Sequence, residues 1–210
     1  MNSLVARALF FAALSLSIFG VREARGERVI AALGDSLTAG LGVAADEAYP
    51  ARLEARLRRE GYAYRVVNAG ASGDTTAGGL RRVDWVLRAK PEIVIVALGA
   101  NDGLRAQSPR AMRDNLAAIV ARLQAAGARV LLAGMRLPPN YGAEYTKEFQ
   151  AVFSEVARGA GVAFMPFLLD GVAADPRLNQ PDGIHPTAAG HQVIADHLWP
   201  YLRPLLKPGK

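Results

Sequence analysis

The chain contains no cysteine. That excludes a disulfide framework, a thiolate nucleophile and a cysteine-built zinc site. Any nucleophilic chemistry must use another residue type. Histidine is scarce as well, with three in 210 residues: His185, His191 and His197. His191 and His197 stand six apart, which is not the i, i+4 spacing of a helical zinc pair, so structural or surface roles are expected for both. Repeats, low-complexity tracts and an internal linker are missing. The formal charge is +6, but the arginines are scattered, as at Arg56, Arg58, Arg59, Arg81 and Arg82. Without a long basic run or interleaved aromatics, no nucleic-acid partner is expected. The net charge leaves attraction to anionic lipid or anionic substrates open.

What is present is a chain with 51% hydrophobic and 21% charged residues, enough to bury a substantial core. Its length suits one domain. The N-terminus has the form of a secretory signal. Arg7 supplies the positive region, Ala8–Val21 is an uncharged apolar run, and Ala24-Arg25-Gly26 sets small residues at the spacing a signal peptidase reads. Cleavage is predicted before Glu27, giving a leader over 1–26 and a single domain over 27–210 in the periplasm or medium. The apolar run is short for a spanning helix, which needs about 20 residues, though an uncleaved anchor remains the alternative. Losing residues 1–26 removes three arginines and one glutamate and lowers the charge from +6 to +4.

Beyond the leader, two periodicities alternate. Strands are predicted at Arg28–Leu33, Tyr64–Asn68, Glu92–Leu98, Ala128–Ala133 and Val162–Met165. Ile93-Val94-Ile95-Val96-Ala97-Leu98 is continuously apolar, as suits a parallel sheet covered on both faces. Helical stripes lie between: Leu53 with Leu57, then Leu80, Val83 and Leu87, then Met112, Leu116, Ile119, Val120 and Leu123, then Phe149, Val152, Phe153 and Val156. Ser108-Pro109 predicts a capped helix start and Gly127 its stop. Thr187 is expected to cap a last helix carrying Val193, Ile194 and Leu198, and the tail Lys207–Lys210 to fray. Such alternation argues for one parallel α/β domain with right-handed crossovers.

Gly34-Asp35-Ser36-Leu37-Thr38-Ala39-Gly40 follows the first predicted strand. It places a serine where open α/β sheets bind ligands. Taken alone, the serine is better explained as an ordinary loop residue or helix cap. A nucleophilic serine needs a base with a pKa near working pH, and histidine is the natural choice. Asp182-Gly183-Ile184-His185-Pro186 offers both a base and, three residues earlier, a carboxyl group to orient its ring. Acyl transfer also needs donors for the developing oxyanion. Gly73, in the loop Asn68–Asp74, could present a backbone N–H, and Asn101, in Gly99–Gly103, a side-chain amide. Other motifs fail. Gly40-Leu41-Gly42-Val43-Ala44-Ala45 fits a dinucleotide pattern but begins too far past the strand, no P-loop lysine occurs, and Thr38 breaks the G-x-S-x-G elbow.

These blocks together resemble the SGNH (GDSL) hydrolases, and most of all the bacterial thioesterase I, lysophospholipase and arylesterase branch. The blocks around Ser36, Gly73, Asn101 and Asp182–His185 occur in family order over roughly Ile30–Tyr201. Met135-Arg136-Leu137-Pro138-Pro139-Asn140-Tyr141-Gly142 looks like the segment that lies near the acyl site in that branch. The resemblance implies an α/β three-layer, flavodoxin-like sandwich with five parallel strands in the order 2-1-3-4-5. It implies Ser36 as nucleophile, His185 as base and Asp182 as its orienter. The oxyanion site would be the Ser36 N–H, the Gly73 N–H and the Asn101 side chain. No metal or organic cofactor is implied. The expected activity is hydrolysis of small-molecule acyl esters and thioesters through an acyl-serine, by a monomer, with peripheral contact to membrane lipid left open. The alternatives are a carbohydrate acetylesterase and a non-catalytic ligand-binding module on the same fold.

Overall fold

The computed structural model describes residues 27–208. The leader expected over 1–26 therefore lies outside the described residues. Five strands form one parallel sheet: β1 (Arg28–Gly34), β2 (Tyr64–Gly70), β3 (Ile93–Ala97), β4 (Arg129–Ala133) and β5 (Ala163–Met165). Their order is β2-β1-β3-β4-β5. Seven helices accompany them: α1 (Ser36–Ala39), α2 (Tyr49–Arg59), α3 (Thr76–Leu87), α4 (Ala100–Leu104), α5 (Pro109–Ala125), α6 (Ala143–Ala160) and α7 (Ala188–Leu202).

The strand order dictates where the helices go. The chain steps from β1 one way to β2, then crosses back to β3 and continues outward through β4 and β5. Right-handed crossovers in opposite directions must cover opposite faces. Accordingly α2 packs against α7, while α5 packs against α3 and α6 in a separate layer. The two directions diverge between β1 and β3, and a crevice opens at such a switch point beyond the strand ends. Both β1 and β3 end there in glycine-containing turns, at Gly34 and Gly99.

Core residues match the periodicities. Ile93, Val94, Ile95 and Val96 are fully buried, as required of a central strand with helices on both faces. The helical stripes named above turn inward, with Leu80, Leu87 and Val193 only half-buried. Ser108 caps α5, its hydroxyl accepting from the Ala111 N–H, and Gly127 follows with a positive φ of 82°. Thr187 caps α7 by accepting from the Gly190 N–H.

The expectation of a frayed tail fails for Lys207 and Pro208. The Arg28 guanidinium donates to the Lys207 carbonyl at 2.9 Å and the Pro208 carbonyl at 3.4 Å. Glu92 gathers Arg129 at 3.0 Å, Lys207 at 3.5 Å and Arg28 at 3.8 Å. This ionic cluster closes the amino-terminal edge of the sheet, opposite the crevice.

His191 is fully buried on α7. Its Nδ1 accepts from the Tyr49 N–H at 3.3 Å, its ring stacks on Tyr49, and among the described residues its Nε2 has no partner. The Tyr49 hydroxyl pairs with Thr38 Oγ1 at 2.9 Å, so α7 is linked through α2 to α1. Burial pushes the His191 pKa down to about 4. The unfolded chain takes up this proton near the ordinary value of about 6.5. Stability from this group is therefore present above about pH 6.5 and is lost as pH falls toward 4, by on the order of 3 kcal/mol at most. Asp35, with its folded pKa raised to about 6, slopes the other way over an overlapping range, because its folded form binds the proton first. Only the first slope is removed by His191→Asn. Urea unfolding at a series of pH values should show the variant gaining on wild type between about pH 6.5 and 4. A stability difference that stays flat over that interval rules out a buried neutral imidazole.

Candidate active site

Ser36 is the first residue of α1, directly beyond the end of β1. Asp35 caps this short helix, its Oδ1 accepting from the Leu37 N–H at 3.0 Å. The helix lies on the strand ends because glycine leaves room: a Cβ on Gly34 would collide with the Thr38 side chain, and one on Gly70 with the Ala39 backbone. Asn68 ties the same turn down by donating to the Thr38 carbonyl at 2.8 Å.

The structure brings His185 to Ser36 across 149 residues, with Nε2 2.9 Å from Oγ. Its Nδ1 lies 2.7 Å from Asp182 Oδ2. The other carboxyl oxygen of Asp182 accepts the Ile184 and His185 backbone N–H groups, both at 2.9 Å. These two backbone bonds, then the imidazole, hold the Asp182 pKa down at about 2. An acceptor at Nδ1 assigns the proton to that nitrogen and leaves Nε2 free to accept from the serine hydroxyl. The loop is pinned from behind, since Gln180 donates to the Leu41 carbonyl at 2.7 Å and the Pro186 carbonyl at 2.9 Å.

Asn101 and Gly73 reach the same place from β3 and β2. The Asn101 amide donates to the Asp74 carbonyl at 2.9 Å and stands 3.4 Å from Asp35 Oδ2. Gly73 adopts a φ of +78°, a left-handed conformation suited to glycine. Among the described residues, neither the Ser36 nor the Gly73 N–H has a protein acceptor. Asp35 is 1% exposed, and burial raises its pKa to about 6 despite the Leu37 N–H.

Residues 32–193 match the GDSL-like Lipase/Acylhydrolase family. The chain belongs to this family. It is 42% identical over 201 residues to the esterase TesA of Pseudomonas aeruginosa, covering 95% of this chain and 100% of that one. It is 39% identical over 175 residues to thioesterase 1/protease 1/lysophospholipase L1 of Escherichia coli K12, covering 83% of each. A crystal structure of TesA superposes with a TM-score of 0.83 at 44% identity, over 85% of this chain and 100% of that one.

In this GDSL-like hydrolase, Leu41, Leu104 and Ile184 are large apolar side chains that stay 47%, 38% and 48% exposed. Each belongs to a segment carrying a site residue: Leu41 follows α1, Leu104 ends α4, and Ile184 adjoins His185. The Met135–Gly142 segment also meets α4. The Tyr141 hydroxyl donates to the Leu104 carbonyl at 3.1 Å, and Leu137 fills the space beside Gly103. A groove of about 590 Å³ borders this segment, lined by residues such as Pro139, Thr146, Gln150 and Phe164, and none of the five candidate site residues lines it.

Sequence reasoning missed the support behind these residues. Arg82 donates to the Ala69 carbonyl at 2.9 Å and the Gly34 carbonyl at 3.2 Å, and pairs with Asp74 at 2.6 Å. It thus gathers the ends of β1 and β2 and the loop carrying Gly73. Arginine scattered along a helix gives no signal of this; its partner Asp74 stands at i−8, beyond any helical contact. Arg82→Ala leaves a 14%-exposed carboxyl group without its partner. A stability loss of about 1.5–3 kcal/mol is expected from the charged hydrogen bonds removed. Denaturant unfolding measures it, and a loss under about 0.5 kcal/mol, the level of an ordinary surface change, would discard the anchor.

Proposed function

We propose that the protein hydrolyses acyl esters and thioesters through an acyl-serine at Ser36. The observation that carries this reading is the unbroken hydrogen-bonded line Asp182–His185–Ser36 in a chain of this family. Ser36 Oγ attacks the acyl carbonyl while His185 Nε2 takes its proton. The tetrahedral oxyanion is held by the Ser36 N–H, the Gly73 N–H and the Asn101 amide. Collapse breaks the bond to the leaving oxygen or sulfur, which receives the proton from His185. Water then attacks the acyl-serine, His185 accepts its proton, and the acid leaves as Ser36 regains a hydrogen. Asp182 keeps the ring in the required tautomer and stabilises the imidazolium between transfers.

The substrate is a small molecule with a single apolar acyl chain. Support comes from the exposed side chains of Leu41, Leu104 and Ile184 and from relatives named as an esterase and as a thioesterase/lysophospholipase. The protein works in the envelope or medium after cleavage before Glu27. That cut falls one residue ahead of β1, so it removes nothing from the sheet. Among the described residues no helix is long and apolar enough to cross a membrane.

A fluorophosphonate probe should label wild type at Ser36 and leave Ser36→Ala unlabelled, and Ser36→Ala should lose about 10⁴-fold or more in kcat on p-nitrophenyl esters. Asn101→Ala should fall between the two, losing roughly 10²–10³ in kcat with little change in KM. Active, unlabelled wild type or an active Ser36→Ala would remove the nucleophile assignment. Comparing short with long acyl chains in the same panel separates this reading from an acetylesterase. N-terminal sequencing of the secreted protein should begin at Glu27, whereas residues 1–26 retained would mean an anchor.

A further inference from the structure

Asp102 follows Asn101 in sequence and is 2% exposed. Both of its carboxyl oxygens serve one residue. Oδ2 accepts from the Thr76 backbone N–H at 2.8 Å, and Oδ1 accepts from the Thr76 hydroxyl at 2.5 Å. Thr76 is fully buried, and its oxygen accepts from Asn115 of α5 at 3.1 Å. With one donor and one acceptor role used, that hydroxyl has a single direction. Thr76 lies three residues beyond Gly73. Two further bonds flank this pair: Asn101 donates to the Asp74 carbonyl at 2.9 Å, and Arg105 to the Gly73 carbonyl at 3.1 Å. Residues 73–76 and 101–105 are thus stitched together at three neighbouring points.

Helix capping accounts for one of the two bonds, since the Thr76 N–H is a free donor at the start of α3, but not for the bond to the Thr76 hydroxyl. Thr75 already caps α3 by accepting from the Gly78 N–H. Nor does packing account for it, since an apolar pair of similar volume would join the two segments without burying a carboxyl group. Two directed bonds to one residue supply something an apolar contact does not, a fixed distance and orientation between the segments. Donors to an oxyanion act within a narrow range of about 2.7–3.1 Å, and a misplacement of about 1 Å can cost on the order of 10²-fold.

We propose that Asp102, acting through Thr76, is a positioning residue that sets the spacing between the Gly73 N–H and the Asn101 amide. The proposal rests on the hydrolase reading above. It distinguishes two jobs for adjacent residues: Asn101 touches the substrate oxygen, and Asp102 holds the frame in which it does so.

The decisive variant is Thr76→Val, which keeps shape and the backbone bond and deletes the hydroxyl. Measured well below its thermal midpoint, it should lose about 10- to 100-fold in kcat with KM within about threefold of wild type. Thr76→Ser, which restores the hydroxyl, should recover most of that loss. The loss should shrink in an Asn101→Ala background, because positioning an absent amide has no value. Asp102→Asn should act in the same direction and more strongly; if it does not fold, Thr76→Val still decides. A folded Thr76→Val with kcat within about twofold of wild type overturns the proposal, as does a loss that is undiminished in the Asn101→Ala background. Ser36→Ala is assayed alongside. An inactive Ser36→Ala with an unimpaired Thr76→Val removes the positioning role alone, whereas an active Ser36→Ala removes the hydrolase reading and this proposal with it.

Discussion

A four-residue helix lying on two strand ends is the constraint from which the site follows. Helix α1 can sit there because Gly34 and Gly70 carry no side chains where Thr38 and Ala39 press down. The same approach lets Asn68 hold the Thr38 carbonyl and Tyr49 hold the Thr38 hydroxyl. Ser36 is thereby fixed at the mouth of the crevice between β1 and β3, with little freedom to move away from His185. A Cβ at Gly34 would push the whole turn off the sheet, and with it the 2.9 Å contact on which the proposed proton transfer depends.

Two carboxyl groups near that contact have been pushed in opposite directions. Asp182 is half exposed to solvent and receives two backbone N–H groups and an imidazole, so its charged form is favoured. Asp35 is buried, and the hydrogen bonds it accepts, the Leu37 N–H foremost, do not offset its loss of solvent, so its pKa rises to about 6. In the proposed reaction this division is useful. The group behind the imidazole stays anionic and steadies the imidazolium, while the group beside the oxyanion donors gives up its charge more readily as pH falls.

Most of the architecture was legible because long elements leave periods. All five strands begin within one residue of the expected positions, and the buried faces of α2, α5 and α6 match their stripes. Helices α1 and α4 were not expected as helices, since four or five residues are too few to show a period. The side chains proposed to react stood out as blocks: Ser36 beside a strand end, and Asp182 with His185 in one loop. Their convergence could be read only from the expected sheet topology and the resemblance, because nothing local relates residues 149 positions apart. The buried polar supports were invisible for the same reason. Thr76 and Asp102 are separated by 26 residues and Tyr49 and His191 by 142, and each looks ordinary in its own segment. The tail misled for a related cause: a Lys-Pro sequence has a loose composition, and its partners Arg28, Tyr64 and Glu92 are all remote in sequence.

That contact has a practical side. Arg28 opens β1 and grips the carbonyls of Lys207 and Pro208, so the first strand and the last described residues meet at one end of the molecule, while Ser36 and His185 open at the other. In a chain cut before Glu27, as proposed above, a short peptide bridging Glu27 and the tail would close a ring without crossing the proposed catalytic mouth. New termini could then be cut into a surface loop, because the polar sheet edge already brings the old ones together. A chain so cut and bonded to a bead or a carrier through either end would present the proposed acyl-binding face outward, on the side away from the support.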